Sequence, residues 1–275
     1  MKLASAPVSW GVWEQTTGRD DLVDADLLLE TVRGLGYGAI ELGPPGYLSP
    51  EKLEAHGLAL VGGFAPLRFE DATAYDEDVA LWLEPIVDVL LATGARGPVV
   101  LAGGDTAGEP SSSYFERVND AVDRVRGRGL GVVFHHHAGT AVETHAQIEA
   151  LLAHTDVGIC FDTGHALVGG GDPIDVARMC GSRIEHLHLK DVDPALLARL
   201  RAGDAPLHEA WADGIFCPFG EGAVDFAAVL ALPGLAGYTG WTVLEQDRVA
   251  VRPDDVPAVR AVEERNLAFV RGLES

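Results

Sequence analysis

Residues 157–191, VGICFDTGHALVGGGDPIDVARMCGSRIEHLHLKD, hold two short apolar runs with one amphipathic stretch between them. The runs at 157–161 and 184–189 are too short for helices and too evenly apolar for a half-solvated strand, so they read as strands buried in a parallel sheet. The stretch at 173–179 opens on Pro173 and reads as the crossover helix. Each strand delivers metal-capable side chains towards its C-terminal end: Asp162 and His165 after the first, His186 and His188 within the second. Period-two alternation puts Ile184, His186, His188 and Lys190 on one face, and Glu185, Leu187, Leu189 and Asp191 on the other.

The same rhythm extends in both directions. Upstream, strands are predicted at 3–9, 39–42, 59–64, 98–101 and 132–135. Helices are expected at 24–35, after Ser49-Pro50, at 77–93 with a kink at Pro85, at 112–126 and at 144–154. Downstream, a longer polar and glycine-rich insertion at 193–222 precedes a helix at 226–232, an eighth strand at 240–245 and a last helix at 256–273. Eight strand–helix units in 275 residues specify an α/β fold of the (β/α)8 TIM barrel type, one domain over residues 1–275. A doubly wound sheet is the lesser alternative, because no GxGxxG or P-loop follows the first strand.

Composition restricts the partners. Lys and Arg total 20 against 42 acidic residues, a formal net charge of −22, which repels nucleic acid and anionic membranes. The three cysteines, Cys160, Cys180 and Cys217, show no CxxC spacing, so neither a disulfide framework nor a thiolate zinc site is indicated. No secretory h-region and no membrane-length apolar run is present. The expectation is a cytoplasmic protein acting on a small molecule, with a homo-oligomer compatible with the acidic surface.

In a barrel the working groups sit at strand C-termini and in the loops that follow. Asp162, His188 and Glu245 fall at such positions, and Glu143 lies in the loop after the fifth strand. Three carboxylates and an imidazole form a mainly hard-oxygen set that favours Mn²⁺, Co²⁺ or Mg²⁺ over a structural zinc site. Unless a cation neutralised them, converging carboxylates would raise one another's pKa. Seven of the ten histidines occur at 135, 136, 137, 145, 165, 186 and 188, in or just after the fifth to seventh strands. Adjacent strand residues face opposite ways, so at least one ring of the 135–137 run has a structural role. His186 reads as a packing residue or as one that stands behind a ligand. Glu221, flanked by glycines, stands either against a ligand or in an ordinary turn. Trp10 and Trp13, after the first strand, either wall a sugar site or fill the core.

Six segments together carry a resemblance: PVSWGV at 7–12, HHHAGTAVET at 135–144, FDTGHALVGGGDP at 161–173, IEHLHLKDVD at 184–193, FGEGAVDF at 219–226 and GWTVLEQD at 240–247. Over essentially the whole chain they resemble the inosose dehydratases, members of the xylose-isomerase-like TIM barrel superfamily. The resemblance implies a divalent metal held by Glu143, Asp162, His188 and Glu245, with His165 and Lys190 near the substrate. His137, Glu221 and Trp10 join Lys190 as candidate substrate-binding residues. This chain departs from the family pattern after the eighth strand, where it has Gln246, Asp247 and Arg248, and after the third.

The function so implied is metal-dependent dehydration of 2-keto-myo-inositol, or a closely related cyclic polyol ketone, through an enolate in inositol catabolism. Glu143 or Glu245 would take the α-proton, and His165 or a second carboxylate would protonate the departing hydroxyl. A ketose epimerase or isomerase of the same superfamily is the alternative, since it begins with the same enediolate. A catalytically silent sugar-binding protein is a third reading, and an endonuclease IV-like repair enzyme is disfavoured by the charge.

Overall fold

The computed structural model describes residues 1–95, 97–105 and 107–273. Its strands are β1 (Lys2–Ser5), β2 (Ala39–Ile40), β3 (Ala59–Leu60), β4 (Gly63–Leu67), β5 (Val99–Gly103), β6 (Val132–His135), β7 (Gly158–Asp162), β8 (Ile184–Leu189), β9 (Asp191–Val192), β10 (Phe216–Cys217) and β11 (Trp241–Leu244). The helices are α1 (Ala25–Gly34), α2 (Pro50–His56), α3 (Ala72–Asp78), α4 (Glu84–Ala92), α5 (Ser112–Gly127), α6 (His145–His154), α7 (Thr163–Val168), α8 (Pro173–Cys180), α9 (Pro194–Ala202), α10 (Leu207–Ala212), α11 (Phe226–Leu230) and α12 (Val256–Gly272).

Nine of the strands form one parallel sheet in the order β3-β2-β1-β11-β8-β7-β6-β5-β4. Its two ends, β3 and β4, are successive parts of one extended run separated by Val61 and Gly62. β3 pairs with β2, β4 pairs with β5, and the Leu42 N–H donates to the Gly62 carbonyl between them. The sheet therefore closes on itself as an eight-stave (β/α)8 barrel, as the strand–helix count predicts.

Local chemistry explains the helix starts. Asp24, Ser49, Asp71, Ser111 and Thr144 each cap a helix by accepting the backbone N–H three residues on. Thr144 completes a capping box with Gln147. The helical faces carrying Leu28, Leu29 and Val32, or Val118, Val122 and Val125, pack on the outside of the sheet in the main apolar core. Inside the barrel the residues are smaller, Ala4, Ala39, Val61 and Val243 on one side and Val100, Val133 and Cys160 on the other.

Three local features differ from the sequence expectation. The first strand stops at Ser5 because Pro7 opens a 3-10 turn over Pro7–Trp10. That turn ends at Gly11, whose φ is +69° and where a Cβ would stand 2.3 Å from the Val251 amide nitrogen; only glycine fits both demands. The helix expected at 77–93 is split by a π-helical turn over Val79–Leu83, just ahead of Pro85, which has no N–H to donate. The 193–222 segment is largely ordered as α9, α10 and β10, the last pairing antiparallel with β9. Among the described residues no helix is long and apolar enough to cross a membrane.

Candidate active site

Register decides which side chains meet at the C-terminal mouth of the barrel. Asp162 pairs with His188, Cys160 with His186 and Val243 with His188, while the Glu245 N–H donates to Leu189. Inward positions two apart then stack as layers. By register Val133 lies lowest, His135, Cys160 and His186 share the next row, Asp162, His188 and Val243 the one above, and Lys190 and Glu245 lie nearest the mouth. From the opposite side Glu41, the residue after β2, enters the same space. All of these groups are buried.

Asp162 performs two tasks at once. Its Oδ1 accepts the His165 N–H at 2.8 Å and caps α7. Its Oδ2 faces the interior, 2.8 Å from Lys190 Nζ, 3.3 Å from His135 Nε2 and 3.8 Å from His188 Nδ1. Glu245 Oε2 lies 2.5 Å from Lys190 Nζ and 3.0 Å from His188 Nδ1. Lys190 Nζ is also 3.4 Å from Asp247, so one ammonium serves three carboxylates. On the far side of His188, Glu41 Oε1 lies 2.7 Å from His186 Nε2 and 3.2 Å from His188 Nε2.

These distances set the charges. Burial works against ionising Asp162, but Lys190, His165 and His135 outweigh it and hold the carboxyl well below the usual range. Burial likewise opposes the Lys190 charge, and Asp162, Asp247 and Glu245 overcome it. His188 is held above its ordinary value against burial by Cys160, Glu245 and Glu41. Asp247 has too little compensation: burial lifts it to about 7 despite Lys190. Burial also lifts Glu14, beyond β1, to about 7, with Glu245 adding to the rise. Burial, together with His137 and Lys190, keeps the His165 imidazole well below its ordinary value. Its Nδ1 accepts the Ala138 N–H at 3.3 Å, so the proton of the neutral ring sits on Nε2, 3.8 Å from Asp247 Oδ2.

The sequence-derived candidates separate into three groups. Asp162, His188, Glu245, Lys190 and His165 converge, and His137 lies against His165 with ring centroids 3.8 Å apart and the rings tilted by 35°. Glu143 is half-buried beside them, its Oε2 accepting the Gly139 N–H at 2.5 Å. Among the described residues it belongs to no set of side chains whose ligand atoms approach within 4.8 Å. Trp10 is fully buried in the core with its indole N–H directed at Ser5 Oγ, and Glu221 is exposed on its turn. Trp13, not Trp10, reaches the 193–222 segment, meeting Trp211 of α10 at 4.6 Å between ring centroids.

Glu41, His135 and Asp247 were not singled out from sequence. His135 is the inward ring of the HHH run, while His136 points away and accepts the Asp162 N–H at Nε2. The alternation rule demanded that division but did not say which ring faces in. No local signal marks Glu41, which ends a two-residue strand.

The donor groups suit a divalent cation. Asp162, His188 and Glu245 offer three ligand atoms within 4.8 Å of one another, and His135 shares Asp162 in an adjoining set with His165. His135 Nδ1 is buried without a hydrogen-bond partner, and His188 Nδ1 and Asp247 Oδ1 meet Glu245 at 3.0 Å and Lys190 at 3.4 Å without making a hydrogen bond, which marks unsatisfied polar capacity. Two carboxylates and two imidazoles are a mixed oxygen–nitrogen set of the kind that holds Mn²⁺, Co²⁺ or Zn²⁺.

The xylose isomerase-like TIM barrel family model matches residues 29–266. The chain belongs to that family. It is 31% identical over 278 residues to the rhizopine catabolism protein MocC of Rhizobium meliloti, covering 90% of this chain and 82% of that protein. It is 30% identical over 283 residues to the inosose dehydratase of Geobacillus kaustophilus, covering 92% and 90% of the two chains. Among solved structures, the IolI protein with a bound zinc atom superposes with a TM-score of 0.71 at 18% identity, over 99% of this chain and 98% of that one. That last likeness shows the shared barrel.

Proposed function

We propose that this member of the family is a hydro-lyase that removes water from 2-keto-myo-inositol, or a closely related cyclic polyol ketone, with the help of a divalent metal. The observation that carries the reading is the convergence of Asp162, His188 and Glu245 around the Lys190 ammonium. The chain around this convergence is 30% identical, nearly end to end, to an inosose dehydratase. Asp162, His188 and Glu245 would hold the metal, with His135 as a fourth ligand. Bound there, a divalent cation acts as a Lewis acid on a ketone and its neighbouring hydroxyl.

The remaining chemistry falls to the protein's own groups. Lys190, kept charged by three carboxylates, places an N–H where negative charge develops on the ketone oxygen as the α-proton leaves. The Glu245 carboxylate accepts that proton. The Asp247 carboxyl, which burial lifts to about 7, donates in its protonated form to the departing β-hydroxyl, with the His165 Nε2–H beside it 3.8 Å from Oδ2. The C–O bond breaks, a C=C bond forms between the α and β carbons, and one water leaves; the resulting enol becomes a diketone by proton shift. Trp13 and Trp211, in contact with ring centroids 4.6 Å apart, would wall the substrate on the side of the 193–222 segment.

Incubating the metal-free protein with inosose and then with Mn²⁺, Co²⁺, Zn²⁺ or Mg²⁺, while following absorbance of the conjugated product, tests the proposal. Product that appears only with metal supports it. Interconversion of ketoses without water loss would transfer the same site to an epimerase or isomerase, and sugar binding without turnover would leave a binding protein.

A further inference from the structure

Glu41 lies 145 residues from His186 in sequence, yet one of its oxygens contacts two rings. Oε1 stands 2.7 Å from His186 Nε2 and 3.2 Å from His188 Nε2. With all three side chains buried, no bulk water competes for these contacts. A charged carboxylate only accepts, so both Nε2 atoms present N–H to it. The opposite ring nitrogen of His188, Nδ1, points at Glu245 Oε2 and Asp162 Oδ2, 3.0 and 3.8 Å away. To bind a cation between those carboxylates, Nδ1 must offer a lone pair, and the proton that stays on the ring then belongs on Nε2.

We infer that Glu41 is a positioning residue of the metal centre: by accepting the Nε2 proton it fixes the tautomer and ring orientation in which His188 directs Nδ1 between Asp162 and Glu245. This rests on the functional reading above. The seat for the carboxylate is built into the adjoining strand run, because a Cβ on Gly62 would stand 2.9 Å from Glu41 Oε1. A carboxylate behind a ligating imidazole also raises the basicity of the ligand, and removing such partners typically costs 10–100-fold in metal affinity. The ligand atoms of Glu41, His186 and His188 lie within 4.8 Å of one another, at the hydrogen-bond separations of 2.7 and 3.2 Å. On this inference the cluster is a support for the one site, and the count of Co²⁺ equivalents below separates that from a second site.

The test compares wild type, Glu41→Gln, Glu41→Asp and Gly62→Ala by Co²⁺ affinity in chelator competition, by the visible spectrum of the Co²⁺ form and by kcat and KM on inosose. Metal-free melting curves control for folding. Glu41→Gln is expected to lose about 10–100-fold in affinity with an altered Co²⁺ spectrum, and to lower kcat at saturating metal more than it changes KM. Glu41→Asp should recover part of the affinity. Gly62→Ala keeps the carboxylate but crowds it, so affinity should fall in the same direction even if Glu41→Gln fails to fold. Wild-type affinity and an unchanged spectrum in Glu41→Gln or Gly62→Ala overturn the inference alone, as does a second Co²⁺ equivalent that disappears with Glu41. A wild-type protein that takes up no Co²⁺ overturns the functional reading and this inference with it.

Discussion

Lys190 Nζ lies 2.5 Å from Glu245 Oε2, with both side chains buried. The ammonium is the one Lys or Arg group within ion-pair distance of Asp162, Glu245 and Asp247 among the described residues. It occupies the same carboxylate oxygens that face the His188 ring. Charge balance at the mouth of the barrel thus depends on this lysine.

Replacing Lys190 with Met leaves buried carboxylates without their partner, which typically costs about 3–5 kcal/mol. Lys190→Met should melt markedly earlier than wild type without metal, and added Mn²⁺ or Co²⁺ should restore much of the difference. Turnover of inosose should fall at least about hundredfold. A metal-free melting curve that matches wild type would remove the lysine from this role.

Asp162→Asn separates charge from architecture. The amide oxygen can still accept the His165 N–H that caps α7, so the fold should survive. The charge facing Lys190 and His135 is lost, and metal affinity should drop by at least about a hundredfold. Titration with Co²⁺ and a chelator measures this; unchanged affinity would exclude Asp162 as a ligand.

His136 gives a pH dependence of stability. Burial, with His137, Lys190 and His188 nearby and against the pull of Asp162, depresses its pKa to about 4, below the ~6.5 of an unfolded chain; the ring packs near Phe161 and its Nε2 accepts the Asp162 N–H. The unfolded state binds the extra proton between those values. The contribution is complete above pH 6.5 and is lost as pH falls towards 4, by about 3 kcal/mol at most. His136→Gln should make the acid side of a denaturation profile shallower by about one proton, and an unchanged slope would contradict the assignment.

Trp211 joins the 193–222 segment to Trp13 of the loop after β1. An aromatic pair contributes ~0.5–1.5 kcal/mol beyond its buried area. Trp211→Ala should therefore raise KM by up to about tenfold while changing kcat little. A fall in kcat at constant KM would place the ring in the chemical step instead.

The eight strands and their helices were legible because each repeats a short-range signal. Apolar runs such as 157–161 and 184–189 are buried on both faces, and Asp24, Ser49 and Thr144 are caps that any sequence reading finds. Period-two alternation also brought out His188 and Lys190, and strand ends brought out Asp162 and Glu245. Glu143 was expected beside them from its place after the fifth strand, but the loop turns its carboxylate to the Gly139 amide. Trp10 lies one turn too early, closing the core with Ser5.

Sequence by itself determined the barrel, the acidic character and five of the groups at its mouth, since these depend on composition, on periods of two and about four residues and on recurring motifs. Tertiary structure alone decided which ring of the HHH run faces inward and which distant carboxylate stands behind His188. The first depends on the register of β6 against β7, which pairs His135 with Cys160. The second depends on barrel closure, which carries Glu41 across to a strand 145 residues away. Hydrogen bonds of about 3 Å are specified by such long-range register and by bare space at Gly62, and neither leaves a trace in the local sequence.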